Sequence, residues 1–567
     1  MKSVSGKHWE EISVNKRLID KVKIDHKLSD LISKSIIHRN FSNREIYSIN
    51  NDVDLSNPFF KNKDFKLATE IFKKHIDNKD KILVIGDYDV DGCISTSLII
   101  NFLNKHNANS SYYIPNRFND GYGASIKLIK KLVKEIFPKL VIMVDCGSNS
   151  IDSVEFLNKN KIETIIIDHH NLNRPYPKSN VLINPKKECD YKLYDYYCSA
   201  FLTYSFLDFY IKKTHSKFNI KDELIYVALA TISDVMPLRE NNRYLLKKII
   251  KEFDLNKNKI FKNLFKLNKI NKKLDFDDLG FFIAPIINSA GRINDANKVI
   301  KLFTTNNEEH IDKISNTLFR LNLKRRSVEN TLIKKIDLKK FTNNNEILFY
   351  FDPEISEGII GIIASRLKEY FNKPAIVLTK SGNLIKGSAR SIPSFNIGKY
   401  IDKAIGKNIL LSGGGHNLAA GVTLQKNKIN ELKKFLNEIY SKEILSTPNK
   451  YISKISLNSV NINFFNEMNK LAPFGNQNSK LIFLIENVKI IKPILIKDRF
   501  ISCYIKSKTK KLIKAISFNP IESSISLNLF YKKNEVSILT RINKNNWNNK
   551  TNIQLEIVDV ICLSNNA

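Results

Sequence analysis

The sequence predicts an α/β protein of several domains: a doubly wound parallel sheet, a helical connector, a second α/β region and a C-terminal β-barrel. Three observations carry this. The apolar runs Ile82–Ile85, Leu140–Val144 and Thr164–Ile167 each end in an acidic residue and are separated by helical segments, as buried parallel strands with crossover helices are. Residues 216 to 335 then read as helical, and beyond Pro448 short β-rich runs alternate with Lys/Asn-rich turns, the signature of a small barrel. At 567 residues the chain is too long for one ordinary core, and its length alone suggests about three or four domains.

Residues 1–45 are polar and mixed in charge, with Trp9 as the large anchor, and are expected to form an extension lying on the first domain. The sheet domain spans 46–215. In it, Gly86–Gly92 reads as a tight loop and Cys93–Leu103 as a helix with Ile94, Leu98 and Phe102 on its apolar face. The connector, 216–335, contains helices at Asp222–Ser233, Leu245–Phe253 and Glu308–Lys335, the last long enough to bridge two domains. The second α/β region, 336–447, starts with the strand Glu346–Phe351, a helix from Glu357 to about Phe371 and the strand Ala375–Leu378, and closes with Leu410–Gly421. The barrel, 448–567, takes strands at Leu481–Glu486, Phe500–Tyr504 and Val536–Thr540. Its aromatics Phe500, Tyr504, Phe518, Phe530 and Tyr531 lie among lysines; they either fill the barrel or stack bases, and solvent exposure separates the two.

The chemistry concentrates where the strands end. Asp87, Asp89 and Asp91 occupy alternate positions after the first strand, at the carboxyl edge where open α/β sheets place their sites. Carboxylates this close repel one another and take up protons unless a cation pairs them, so the loop is either a metal site or a polar turn with a capping aspartate. Asp145 ends the second strand, and Asp168-His169-His170 ends the third. Imidazole beside carboxylates is a transition-metal setting, and this set could serve two ions about 3.5–4 Å apart, the spacing for in-line attack on phosphorus. Asp234 ends a helix in Ala228–Pro237.

The formal net charge of +34 points to a polyanionic partner, although an A/T-rich genome would also enrich lysine. Six dispersed cysteines without a C-x-x-C pair fit a reducing compartment. With neither an apolar leader nor a run near the ~20 residues of a membrane span, a soluble, cytoplasmic protein is expected. No repeat of solenoid period is evident.

Gly86-Asp-Tyr-Asp-Val-Asp-Gly92, Val144-Asp-Cys-Gly147, Asp168-His-His170 and Ser233-Asp-Val235 resemble, in order and spacing, the four motifs of the DHH phosphoesterases. The resemblance is greatest to that family's single-strand-specific 5′→3′ exonucleases. It extends to Tyr113–Gly123, Pro285–Arg292, Gly358–Arg366, Gly387–Arg390, Gly414–His416 and Ala472–Asn476. It implies two Mn²⁺ or Mg²⁺ ions on Asp89, Asp91, Asp145, His169 and Asp234, with Asp145 bridging and Asp87 as a further ligand. It also implies water activated by the metals, His170 stabilising the developing charge, and Arg292 clamping a phosphate. The second α/β region resembles the DHH-associated domain, whose Ser388 and Arg390, with Arg117 from the first domain, would bind the 5′ end; His416 is expected beside the substrate phosphate. Ser356 stands where relatives often carry histidine, so no catalytic role is placed there. The C-terminal part resembles an OB-like, oligonucleotide-binding barrel.

The implied function is exonucleolytic hydrolysis of single-stranded DNA to mononucleotides in recombination and repair, by a monomer working with a DNA helicase and single-strand-binding protein. Two other readings are a DHH phosphatase acting on short oligoribonucleotides, nucleotide bisphosphates or polyphosphate, and a non-catalytic replication scaffold. The phosphatases lack the long connector and barrel; the scaffolds lose metal ligands that this chain keeps.

Overall fold

Five parallel strands form the sheet that carries the acidic loops, in the order Ser110–Tyr113, Ile82–Ile85, Leu140–Val144, Glu163–Ile167, Val181–Ile183. The computed structural model describes residues 1–562 except 117–119, 121–122, 188–193, 294, 337–340, 342–345, 445–447, 498–499, 522, 532–534 and 548–549. The chain divides into two compact units, Asp54–Asp337 with Ile355–Ile363, and Met1–Val53 with Leu338–Glu354 and Ala364–Ala567.

In the first unit the three predicted strands are present, and two more flank them. Ser110–Tyr113 is a half-buried edge strand whose Ser-Ser-Tyr-Tyr carries no apolar run, and Val181–Ile183 is three residues long; neither length nor pattern marks them in a sequence. The strand order reverses between Ile82–Ile85 and Leu140–Val144, and such a reversal opens a crevice at the carboxyl ends of the strands that part there. Asp87 and Asp145 follow those two strands.

The helix after the first acidic loop runs Val90–Lys105, starting three residues before the expected Cys93. Asp89 is its N-cap, with its side chain accepting from Gly92 N at 3.1 Å, and Asp91 lies in its first turn. Beyond Ile94, Leu98 and Phe102, the residues Cys93, Ile99, Ile100 and Leu103 are buried too. The sheet covers one side of this helix, and the helices Ser199–Thr214, Leu224–Ser233 and Asn297–Thr304 cover the rest. The expected connector helices run Leu224–Ser233, Glu240–Glu252 and Glu308–Lys335. Their apolar residues, among them Leu229, Leu245 and Leu318, join the sheet's own core. Among the described residues no helix is long and apolar enough to cross a membrane.

The second unit contains a five-stranded sheet in the order Ser412–His416, Ala419–Leu424, Leu384–Arg390, Ala375–Ser381, Leu348–Phe351. It also contains a barrel that closes because one long strand serves both ends. Residues Phe483 to Val488 of the strand Phe483–Ile496 pair with Val536–Trp547, and Lys489 to Ile496 pair with Phe500–Lys506. Register shifts at Ile485/Val488 and Ile491/Ile494 bend the strand between its partners, as bulges do. Leu512–Ser517 and Lys550–Cys562 complete the ring, with the helix Ser524–Tyr531 between the third and fourth strands.

The five barrel aromatics divide by exposure. Tyr504, Phe518 and Tyr531 are 40%, 54% and 78% exposed, whereas Phe530 packs against the barrel core and Phe500 is half-buried, edge-on to Phe518 at 5.1 Å. Tyr504 stands opposite Lys514 on the outer face of the second and third strands.

The N-terminal segment is not an appendage of the first domain, as the sequence suggested. Ile12, Leu28, Ile32, Ile36, Phe41 and Ile49 share the core of the C-terminal barrel, and Trp9–Glu11 pairs in parallel with Asn449–Tyr451. Trp9 is the expected anchor, 3% exposed, and its indole N–H donates to the fully buried Asp559 carboxylate at 2.9 Å. Ser5 Oγ donates to the same Oδ2 at 2.6 Å. A buried carboxylate needs such donors. Trp9→Ala is therefore expected to destabilise this unit by about 3–5 kcal/mol, measured as a lowered denaturant midpoint, with the first unit's own transition unchanged.

Candidate metal centre

Each group of the centre is placed by the end of an element. Asp87 follows Ile82–Ile85, Asp145 follows Leu140–Val144, and Asp168-His169-His170 follows Glu163–Ile167. Asp234 is the C-cap of Leu224–Ser233. Ladder bonds run one residue past the strands, from Asp145 N to Ile167 O and from Asp168 N to Ile183 O, both 3.0 Å, so the acidic residues start from fixed backbone. Asp145 and Val235 both adopt left-handed φ, +57° and +53°. For valine this is sterically costly, and such costs gather at functional sites.

These residues converge. Three groups each bring one ligand atom per residue within 4.8 Å of the others: Asp87, Asp89 and Asp145; Asp91, His169 and Asp234; and Asp145, His169 and His170. Asp145 belongs to two groups and His169 to two. His169 Nε2 lies 3.4 Å from Asp145 Oδ1, 3.5 Å from Asp234 Oδ2 and 3.7 Å from Asp91 Oδ2. The two readings of the first loop are compatible, since Asp89 caps the helix and also stands in the group of Asp87 and Asp145.

The electrostatics follow from burial. Burial, and then the Asp89 charge, push the Asp91 carboxyl up to about 6, against the N–H groups of Ala200 and Ser199. Asp145 and Asp234 are held well above the carboxylate range by burial first and by neighbouring aspartates second. A set that resists ionisation yet offers carboxylate and imidazole atoms around shared points suits a divalent cation, which would replace the protons. The donor set therefore fits Mn²⁺ or Mg²⁺.

Asp168 behaves differently. Burial works against its charge, but the His170 imidazolium outweighs it and holds Asp168 below the usual carboxylate range. Asp168 Oδ1 accepts from His170 Nδ1 at 2.8 Å and from the backbone of His169 and His170, and Oδ2 accepts from Ser148 N at 3.1 Å. His170 pays for its own burial through the same contact, which pushes its pKa up to about 9.

Arg292 lies on a helix that packs against the first acidic loop. The segment Phe276–Ile293 is helical throughout, with a π turn at Leu279–Ile283 just before Pro285. Proline has no N–H and collides with the preceding turn, and a widened turn absorbs both defects. Asn288 and Arg292 then share a face at i, i+4. Asn288 accepts from Val90 N at 3.2 Å and donates to Ser233 Oγ at 3.1 Å, tying the first acidic loop to the helix that ends at Asp234. Arg292 Nη1 donates to Gly358 O at 3.3 Å. Gly291 is obligatory because a Cβ there would lie 2.4 Å from Tyr88 O.

Ser388, Arg390 and His416 lie in the second unit's sheet. Register aligns Arg390 with Ala419 and then His416, and Ser388 with Gly421 and then Gly414, so all three side chains take one face. A Cβ at Gly414 or Gly421 would meet nothing within 4 Å, leaving open floor beside Ser388. Arg390 Nη1 donates to Ser388 Oγ at 2.9 Å. Arg117 lies outside the described residues.

Asp168 and Asn288 sat inside motifs without a role assigned from sequence, and Ser199, which donates to Asp145 Oδ1 at 3.0 Å, lay in none. Serine near a helix start signals only a cap. Because Gly291 sets the approach of the Arg292 helix to Tyr88, Gly291→Ala is expected to leave a folded chain, by circular dichroism, with phosphodiesterase activity lowered at least about 100-fold.

Residues 81–232 match the N-terminal domain of the DHH family, 344–442 the DHHA1 domain and 453–559 the RecJ OB domain. The chain is 27% identical over 549 residues to the single-stranded-DNA-specific exonuclease RecJ of Bacillus subtilis, covering 94% of this chain and 68% of the relative. To RecJ of Escherichia coli it is 30% identical over 401 residues, covering 66% and 68%. It thus spans about two thirds of these curated relatives. A crystal structure of Thermus thermophilus RecJ in complex with Mn²⁺ superposes with a TM-score of 0.81 at 21% identity, over 98% of this chain and 80% of that one. The likeness to the Escherichia coli enzyme, together with the DHH, DHHA1 and RecJ OB domain matches, places the chain in the RecJ family of single-stranded-DNA-specific exonucleases.

Proposed function

We propose that this chain hydrolyses single-stranded DNA from its 5′ end to mononucleotides, using two divalent cations, Mn²⁺ or Mg²⁺. The observation that carries the reading is the convergence of two groups of candidate ligands, Asp87, Asp89 and Asp145 and then Asp91, His169 and Asp234, with His169 Nε2 3.4 Å from Asp145 Oδ1 between them. Asp87, Asp89, Asp91, Asp145, His169 and Asp234 would hold the ions, which when bound supply Lewis acidity at the scissile phosphate and lower the pKa of the attacking water.

The remaining steps belong to the chain's own side chains. His170, oriented by the bond from its Nδ1 to Asp168, donates toward the phosphate through its other ring nitrogen as negative charge develops there. Arg292 holds a neighbouring phosphate through its guanidinium. Ser388, Arg390 and His416, beside the open glycine floor, bind a terminal phosphate, and that contact gives 5′→3′ polarity; Arg117 also binds substrate. Tyr504 and Phe518 stack bases on the barrel while nearby lysines follow the backbone. The domains are 46–215, 216–335, 336–447 and 448–567, with 1–45 as an N-terminal extension. The protein works as a monomer in the cytoplasm, in recombination and repair, on strands exposed by a helicase and handed on with single-strand-binding protein. The barrel and the full acidic set favour this reading over a small-substrate phosphatase or a silent scaffold.

An end-labelled single strand with Mn²⁺ or Mg²⁺ tests it. Label at the 5′ end should leave first as mononucleotide, and Asp145→Ala should lower the rate at least about 1,000-fold; release from the 3′ end alone would reject the reading. Tyr504→Ala combined with Phe518→Ala should weaken binding of a long strand by about 1–3 kcal/mol per lost stack, measured by fluorescence anisotropy, and leave cleavage of a dinucleotide unchanged.

A further inference from the structure

One residue outside every motif touches two of the clustered carboxylates. Ser199 donates its backbone N–H to Asp91 Oδ2 at 2.8 Å and its hydroxyl to Asp145 Oδ1 at 3.0 Å, and Ala200 N donates to Asp91 Oδ1 at 2.8 Å. Ser199 is fully buried, so no bulk water replaces its hydroxyl. The hydroxyl does not cap its own helix, Ser199–Thr214, whose N-cap residue Cys198 makes no side-chain capping bond either. The helix start is satisfied instead by the Asp91 carboxylate, which leaves the Ser199 hydroxyl for Asp145.

The two carboxylates come from different elements, Asp91 from the Val90–Lys105 helix and Asp145 from the end of Leu140–Val144. Burial and the surrounding aspartates give each a reason to turn away from the other. A donor anchored on a third element, bonded to both, removes that rotational freedom. A carboxylate oriented in advance loses less entropy when it binds a cation, and outer donors of this kind are worth about 10–100-fold in metal affinity.

We propose that Ser199 is a positioning residue of the metal centre: its hydroxyl fixes the Asp145 carboxylate relative to Asp91 and so sets the affinity of the cluster for divalent cations. This rests on the proposed function in one respect, that the cluster binds such cations.

Calorimetric titration of the full chain with Mn²⁺ tests it, comparing the unsubstituted chain, Ser199→Ala and Thr203→Ala. Thr203 is a fully buried hydroxyl residue one turn along the same helix. Ser199→Ala keeps both backbone donors and loses only the hydroxyl. It should bind Mn²⁺ at least about 10-fold more weakly, with its circular dichroism in EDTA that of the folded chain, and Thr203→Ala should bind as the unsubstituted chain does. Equal affinity in Ser199→Ala, or equal weakening in Thr203→Ala, would overturn the positioning role. No Mn²⁺ binding by the unsubstituted chain would overturn the proposed function, and this inference with it.

Discussion

Mutual repulsion among buried carboxylates is the constraint on which the rest of this structure depends. Asp87, Asp91, Asp145 and Asp168 are all nearly inaccessible to solvent, and Asp89 and Asp234 adjoin them. Left alone, such a set would take up protons or open the strand ends. The fold answers at three of these residues, Asp89, Asp91 and Asp168, with hydrogen-bond donors. The first turn of Ser199–Thr214 faces Asp91, Gly92 N faces Asp89, and Ser148 N with the Asp168–His170 pair settles the third strand end. What the donors do not cover, the shared ligand groups around Asp145 and His169 leave for divalent cations.

The strand order explains why these charges can meet. A parallel sheet presents all its carboxyl ends on one edge, but only at a reversal of strand order do two adjacent loops part and leave a crevice. Here that reversal falls between the strands preceding Asp87 and Asp145. The helices past residue 224 complete the wall. A π turn accommodates Pro285, and the regular helix after it puts Asn288 and Arg292 on one face, with Gly291 permitting backbone-close approach to Tyr88.

The second unit presents two surfaces of different character. Its sheet offers one face on which Ser388, Arg390 and His416 lie over a glycine floor, and its barrel turns Tyr504 and Phe518 outward. The N-terminal segment belongs to this unit because Trp9 and the apolar residues from Ile12 to Ile49 find their burial in the barrel. Sequence proximity placed it with the first domain; apolar burial, which is indifferent to position along the chain, decided otherwise.

The sequence by itself determined the three acidic strand ends, the long Glu308–Lys335 helix, the Glu357–Phe371 helix and the barrel, because each rests on local periodicity and on residues that sit next to one another. It also marked Asp87, Asp89, Asp91, Asp145, His169, His170 and Asp234, since clustered acids and imidazoles stand out in any strand-end context. Only the tertiary structure decided the edge strands Ser110–Tyr113 and Val181–Ile183, the side of each barrel aromatic, and the partners Asp168, Asn288 and Ser199. A serine, an asparagine or a short polar strand carries no signal of its own. Its role is fixed by which charge or backbone group folding brings within hydrogen-bond reach, and that is a property of the packed whole.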